Sequence, residues 1–301
     1  MKTQKKLLGV IIIALTLGGA YSQTASAQIP LLGWDLNTTN AGGSNTSVTY
    51  IPSVVPANEV NNLGLAGESF VTISAAPSSG PFTFTDSGVY NFTTYNGGPF
   101  LELGSGQLTA VLRNGVGYLT GSSGTFTSFT FTGGLVDFYY NNTHTFGTTS
   151  LNDYGASTGQ LIAEFGVQGG GGTVDSAGVP TNNTNITVIS LAQAINGIGS
   201  PLTPASVWTL PPSINLTTLL GYITTNANLD LAYLNPTSTR LSQALTGSNA
   251  PFQNTFGPGG SFMVKNGGQF VLDASIPEPE LLVLIGLGMI ALGYSKKRKV
   301  R

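Results

Sequence analysis

Few side chains in this sequence have the types and spacing that chemistry needs. His144 is its one histidine, and it stands in Asn141-Asn142-Thr143-His144-Thr145, a polar run of turn character. A single imidazole with no cysteine excludes thiol catalysis and cysteine-ligated metals, and it removes most zinc sites, which need several nitrogen or sulfur ligands. Gly155-Ala156-Ser157-Thr158-Gly159 has the outline of a nucleophile elbow. That turn needs a strand before it, a helix after it and a histidine later in the chain. Here Gln160 to Phe165 reads as strand and no histidine follows, so no catalytic residue is expected. Gly169 to Asp175 is one residue out of register with a calcium-binding glycine repeat and occurs once instead of in stacked copies. No metal site or cofactor is expected from it, although scattered Asp and Asn oxygens suit calcium at extracellular concentration. Glycoside hydrolysis needs two carboxylates that meet in space, and nothing in the spacing singles out such a pair.

The strongest patterns lie at the two ends. Met1 to Lys6 carries three of the chain's lysine charges, Leu7 to Ala20 is apolar, and Ala25-Ser26-Ala27 offers small residues at the cleavage positions Ala25 and Ala27. Together these predict a secretory signal peptide over residues 1–27, cut by signal peptidase. At the other end, Pro277-Glu278-Pro279 precedes an apolar run from Leu281 to Tyr294, followed by Lys296, Lys297, Arg298, Lys299 and Arg301. The two prolines hold an extended segment. The apolar run spans about 21 Å as a helix, short of the roughly 30 Å hydrocarbon core. The basic cluster acts as a stop-transfer signal that keeps the C-terminus cytoplasmic, and its long side chains can snorkel across the mismatch.

Tripeptide, short apolar helix and basic tail resemble the PEP-CTERM sorting signal of Gram-negative bacteria. The resemblance covers residues 276–301 and implies recognition of Pro277-Glu278-Pro279 by a membrane-embedded exosortase. It further implies a transient inner-membrane anchor through a helix at 281–295, then release to the cell surface or extracellular matrix.

The elements between these ends must position whatever the protein uses. Residues 28–275 hold eleven acids against three bases, Arg113, Arg240 and Lys265. A surface so poor in Lys and Arg neutralises few phosphates, which argues against nucleic acid. Charged residues are 8% of the chain, yet 15 Phe and 11 Tyr are spread along it, a composition that favours a folded, turn-rich domain over disorder. Runs of Phe, Tyr, Val and Thr separated by Gly, Asn and Ser recur about every 10 residues, which predicts an antiparallel β-sandwich or barrel-like domain. Hairpins are expected at Asp86-Ser87-Gly88, Gly133-Gly134 and Asn266-Gly267. Gly169 to Gly172 reads as an exposed loop. Ser213 to Leu245 reads as a short helical insert followed by a strand, with Leu216, Leu220, Ile223 and Ala227 at helical spacing.

The segment from Gly124 to Val167, centred on Gly133 to Tyr140, loosely resembles flocculation-associated PEP-CTERM proteins. The expected function is therefore a non-enzymatic surface or matrix protein that contributes to biofilm or floc formation and contacts exopolysaccharide through strand-face Tyr and Thr. A lectin-like module with one glycan site and an extracytoplasmic glycan hydrolase are the alternatives.

Overall fold

Alternation at period two builds the domain. Phe82, Phe84, Asp86, Gly88, Tyr90 and Phe92 all point to one buried face, and the residues between them are exposed or half-buried except Val89. A computed structural model describes residues 34–36, 62–96, 98–99, 106–180, 185–195, 208–209, 219–227, 239–248 and 252–274. The expected signal peptide, with Ala25 and Ala27, lies outside the described residues. So does the sorting segment, with Pro277, Glu278, Pro279, Lys296, Lys297, Arg298, Lys299 and Arg301. Among the described residues no helix is long and apolar enough to cross a membrane.

Eight long strands follow in chain order: β1 (Leu63–Ile73), β2 (Phe82–Tyr95), β3 (Gln107–Thr120), β4 (Ser128–Asn141), β5 (Gln160–Thr173), β6 (Asn185–Ile195), β7 (Leu219–Ala227) and β8 (Ser261–Ala274). Each pairs antiparallel with the next. The last then pairs with the first, from Ser261 opposite Thr72 to Phe270 opposite Leu63. The sheet is thereby a closed up-and-down barrel, the closure that leaves a β-protein without open edges. Among the described residues one short helix, α1 (Thr239–Thr246), lies between β7 and β8. Two short pairings also occur, Asp35–Leu36 with Trp208–Thr209 and Gly98–Pro99 with the end of β2.

The lumen is mostly apolar and arranged in two storeys. In one half Phe92 stacks on Phe138 at 5.3 Å, and Phe138 and Phe165 lie 4.8 and 5.6 Å from Phe270. Trp34, fully buried, meets Phe270 edge-on at 6.4 Å and closes that end. In the other half Phe84 meets Phe129 and Phe131 edge-on at 5.6 and 5.2 Å. The segment after β5, Val174 to Pro180, closes this end, with Val174 and Val179 buried. Outward positions carry Glu68, Arg113, Asp137 and Lys265. This polar-out, apolar-in order is the inverse of a membrane barrel, whose outer band is apolar.

All three expected hairpin turns are instead interior to single strands. Asp86-Ser87-Gly88, Gly133-Gly134 and Asn266-Gly267 lie within β2, β4 and β8, each 14 residues long. Each of these strands has a partner on both sides, so a reversal there would break two ladders at once. Glycine serves curvature and close approach in these strands. At Gly134, with φ of 136°, a side chain would strike the Gly115 backbone at 2.9 Å. Gly169 to Gly172 is likewise strand, inside β5 at a register shift between Val167 and Gly169. From Ser213 to Leu245 the expected order is helix then strand. The helix is not where it is expected, and the alternating Leu229, Leu231 and Tyr233, expected as strand, lie outside the described residues. Leu220, Ile223 and Ala227 lie in β7, and the helix comes later at α1. Closing the barrel requires a strand between β6 and β8, and the β-branched Thr224 and Thr225 favour one there.

Truncating Phe138, fully buried between the ring partners named above, is expected to cost about 3–5 kcal/mol. Leu151→Ala, at a residue 68% exposed, is expected to stay within about 0.5 kcal/mol. Guanidinium unfolding of the two variants measures the difference.

Candidate functional site

Outside the barrel wall the chain builds a second, smaller core. Val89, Val111 and Met263 face outward from β2, β3 and β8 and are covered by Leu241 of α1 and Ala156 of the β4–β5 loop. Phe70 meets Phe252 at 5.2 Å and Phe146 meets Tyr154 at 5.4 Å on its margins.

The loop is held in an unusual shape. Asn152, Asp153, Tyr154 and Gly155 have φ of 51°, 50°, 63° and 81°, one turn of left-handed helix closed by the Gly155 N–H donating to the Leu151 carbonyl at 2.9 Å. Left-handed backbone costs roughly 1–2 kcal/mol per non-glycine residue, and the surrounding structure must hold it. Gln107 does so from β3: its amide NH2 donates to Gly155 O at 3.0 Å, and its carbonyl oxygen accepts from the Thr145 and Phe146 N–H groups at 2.7 and 2.8 Å. Thr109 donates to the Ala156 carbonyl.

Arg113 completes the restraint. Its Nε donates to Asp137 Oδ2 at 2.8 Å, and its Nη2 donates to Asp153 Oδ2 at 2.7 Å and the Tyr139 hydroxyl at 3.3 Å. Burial works against its charge, but the hydrogen bonds to Tyr139, Asp153 and Asp137 outweigh it and carry the guanidinium pKa above its ordinary value. Burial also raises the Tyr139 phenol. Beside this cluster opens a cleft of about 240 Å³, bordered by Ser87, Arg113, Asn114, Asp153, Ala244 and Leu245. Its walls offer the Ser87 hydroxyl, the Asn114 amide and backbone groups beside the Arg113–Asp153 ion pair. The two carboxylates grip one guanidinium instead of facing each other as an acid and a base.

Farther along the same strands the outer surface becomes a hydroxyl band. Thr83 pairs with Tyr118, and Tyr118 with Thr130. Thr72 lies opposite Thr85, and Thr85 opposite Val116. Tyr118 and Val116 are 38% and 39% exposed, and Thr83, Thr85, Thr120 and Thr132 are exposed around them. An aromatic face ringed by hydroxyls can stack on a sugar ring and hydrogen-bond to it without charge.

A second polar cluster is inside the barrel. Asp86 faces the lumen with Ser69, Tyr90, Thr225 and Asn266. Burial pushes the Asp86 carboxyl up to about 7, although hydrogen bonds from the Ser69 hydroxyl and the Ser87 backbone pull it down. Burial and the neighbouring Asp86 raise the Tyr90 phenol against hydrogen bonds with Ser69 and Asn266. Gly88 makes the room: a side chain there would meet the Tyr90 hydroxyl at 2.6 Å.

His144 is exposed, in the turn where the sequence puts it. Gly155, Ser157 and Gly159 belong to the β4–β5 loop, with strand following, so the elbow outline has no elbow geometry. Asp175 closes its own turn: its Oδ1 accepts from the Ala177 and Val179 N–H groups at 2.9 and 3.0 Å. Sequence reasoning did not find the Arg113 cluster, whose members are contributed by β3, β4 and the loop. Its one available signal was the scarcity of cations between the chain's ends. No family model matches the chain, and no curated protein or solved structure matches it.

Two outcomes follow from these clusters. Arg113→Ala is expected to cost roughly 2 kcal/mol, because buried Asp137 loses its ionic partner. Arg113→Lys should recover less than half of that, since an ammonium cannot span both carboxylates as the planar fork does; urea unfolding reads both. Asp86 sets a pH dependence. Folding raises its pKa from 3.8 to about 7, so the folded chain holds a proton that the unfolded chain has released. Its contribution is most favourable below about pH 4, and roughly 4 kcal/mol is lost as the pH rises to about 7. Unfolding midpoints across that range should slope downward, and Asp86→Asn should flatten the slope.

Proposed function

We propose that this protein is an exported, non-enzymatic surface or matrix component whose barrel adheres to neutral polysaccharide, sorted by an exosortase through Pro277-Glu278-Pro279. The observation that carries the adhesive reading is the outer band of β2 to β4, where Tyr118 is exposed among Thr83, Thr85, Thr120 and Thr132. Its aromatic face and hydroxyls match the chemistry of an uncharged glycan chain. The electrostatics support a neutral partner. Arg113 is committed to two aspartates, and residues 28–275 carry eleven acids against three bases, which disfavours anionic polymers. The loose likeness to flocculation-associated proteins points to biofilm or floc formation as the setting, and it falls on the segment that supplies Asp137, Tyr139 and Asp153.

A lectin-like module with one defined glycan subsite is the second reading. The cleft beside Arg113 favours it, because Ser87, Asn114 and Asp153 converge there around about 240 Å³.

One experiment separates these readings: matrix-bound protein is measured in cells carrying wild type, Tyr118→Ala, Asn114→Ala, or Pro277→Ala with Pro279→Ala. Tyr118→Ala is expected to lower matrix retention several-fold at unchanged stability, and the double proline variant to leave the protein in the membrane fraction. Loss with Asn114→Ala instead of Tyr118→Ala would favour the single-site lectin. Unchanged retention in every variant would sink both readings.

A further inference from the structure

The lumen is not filled throughout. Between the Phe84–Phe129–Phe131 layer and the middle of the barrel lies a cavity of about 50 Å³, room for about four water-sized groups. Most of its wall is carbon, from residues such as Leu112, Leu119, Val136, Val188 and Ile223. Ser69, Asp86, Tyr90, Thr225 and Asn266 also line it, and each is more than nine-tenths buried.

Two acceptor oxygens of this cluster are left open. Asn266 Nδ2 already donates toward Ser69 Oγ at 3.4 Å and the Val264 carbonyl at 3.5 Å. Asp86 Oδ1 and Asn266 Oδ1 are both buried and have no hydrogen-bond partner among the described residues. Each of these oxygens is free to accept a hydrogen bond from a molecule in the cavity. Water fits the polar end, where Ser69, Asp86, Tyr90, Thr225 and Asn266 converge, but not the rest of the cavity. A buried water needs two to four polar partners, and volume walled by carbon stays dry. The complement of the whole cavity has a donating head at Asp86 and Asn266 and an aliphatic body against Val136 and Ile223. A cationic head is disfavoured because the site resists charge.

We propose that the barrel lumen is a binding site for a small, uncharged aliphatic alcohol, whose hydroxyl donates to Asp86 Oδ1 or Asn266 Oδ1 and whose chain occupies the apolar part of the cavity. The way in is the mouth closed by Val174 to Pro180. That segment bears on the barrel rim at Gly178, where a side chain would meet Ile73 at 2.7 Å and Leu119 at 3.3 Å. Its outer hold includes the Gly257 N–H donating to the Ala177 carbonyl at 3.1 Å. This site is independent of the polysaccharide reading, since the lumen and the hydroxyl band are on opposite faces of the wall.

The test compares 1-butanol with pentane, equal in non-hydrogen atoms, on the full-length protein by carbon-labelled methyl NMR at Val136, Val188 and Ile223. Saturable shifts are expected with 1-butanol, at a dissociation constant about tenfold lower than for pentane, the factor for one net hydrogen bond. Asp86→Leu with Asn266→Leu should abolish that preference. Val136→Phe, which fills the cavity from the apolar side and leaves the polar cluster in place, should abolish both bindings. No saturable shift in wild type, equal affinity for the two probes, or 1-butanol binding unchanged by Val136→Phe would each overturn the proposal. If the double leucine variant does not fold, the wild-type ratio and Val136→Phe decide the matter.

Discussion

Everything in this domain depends on the ladder between β8 and β1. Residues 261–270 return across almost the whole described chain to pair with residues 63–72, and only that pairing converts a meander into a barrel. Without it two strands would expose unpaired backbone, and the phenylalanines would have no opposite wall. The ladder also sets the phase of the interior. Because Val264 faces Ser69 and Asn266 faces Gly67, one-residue slippage would turn the lumen side chains outward and bring Lys265 and Glu68 inside. Closure joins distant segments, which raises contact order, so folding should be slow for the chain's size.

The β character of the chain was legible from its period-two pattern, and the barrel was one of two architectures that pattern allowed. The path within it was not. Local turn chemistry at Asp86-Ser87-Gly88 and Asn266-Gly267 is the same whether the chain reverses or continues, and the distinction is made by partners on both sides of the strand. The unbroken alternation from Phe82 to Phe92 was the one local clue, because a tight turn would have reset its phase. The hydroxyl band follows from the same alternation: once Phe82 and Phe84 face in, Thr83 and Thr85 must face out. The Arg113 cluster had no such pattern, since its acids come from another strand and a left-handed turn that only tertiary contacts stabilise.

The two polar clusters show how one wall serves two environments. On β2, Asp86 and Tyr90 face the lumen while Ser87 borders an open cleft. On β3, Leu112 faces the lumen and Arg113 grips the loop outside. In the inner cluster Asp86 Oδ1 and Asn266 Oδ1 have no partner among the described residues, and in the outer one two carboxylates share a single guanidinium. The outer cluster acts as a brace, holding Asn152, Asp153 and Tyr154 in backbone that their side chains disfavour.

The seam has a mechanical consequence. Ala274 ends β8, the strand held by ten register pairs on its β1 side and nine on its β7 side. Tension applied through Ala274 along the strand loads these hydrogen bonds together, in shear, instead of peeling them off one after another. A barrel held by its outer face and pulled from this end would therefore resist force at the same seam that closes it.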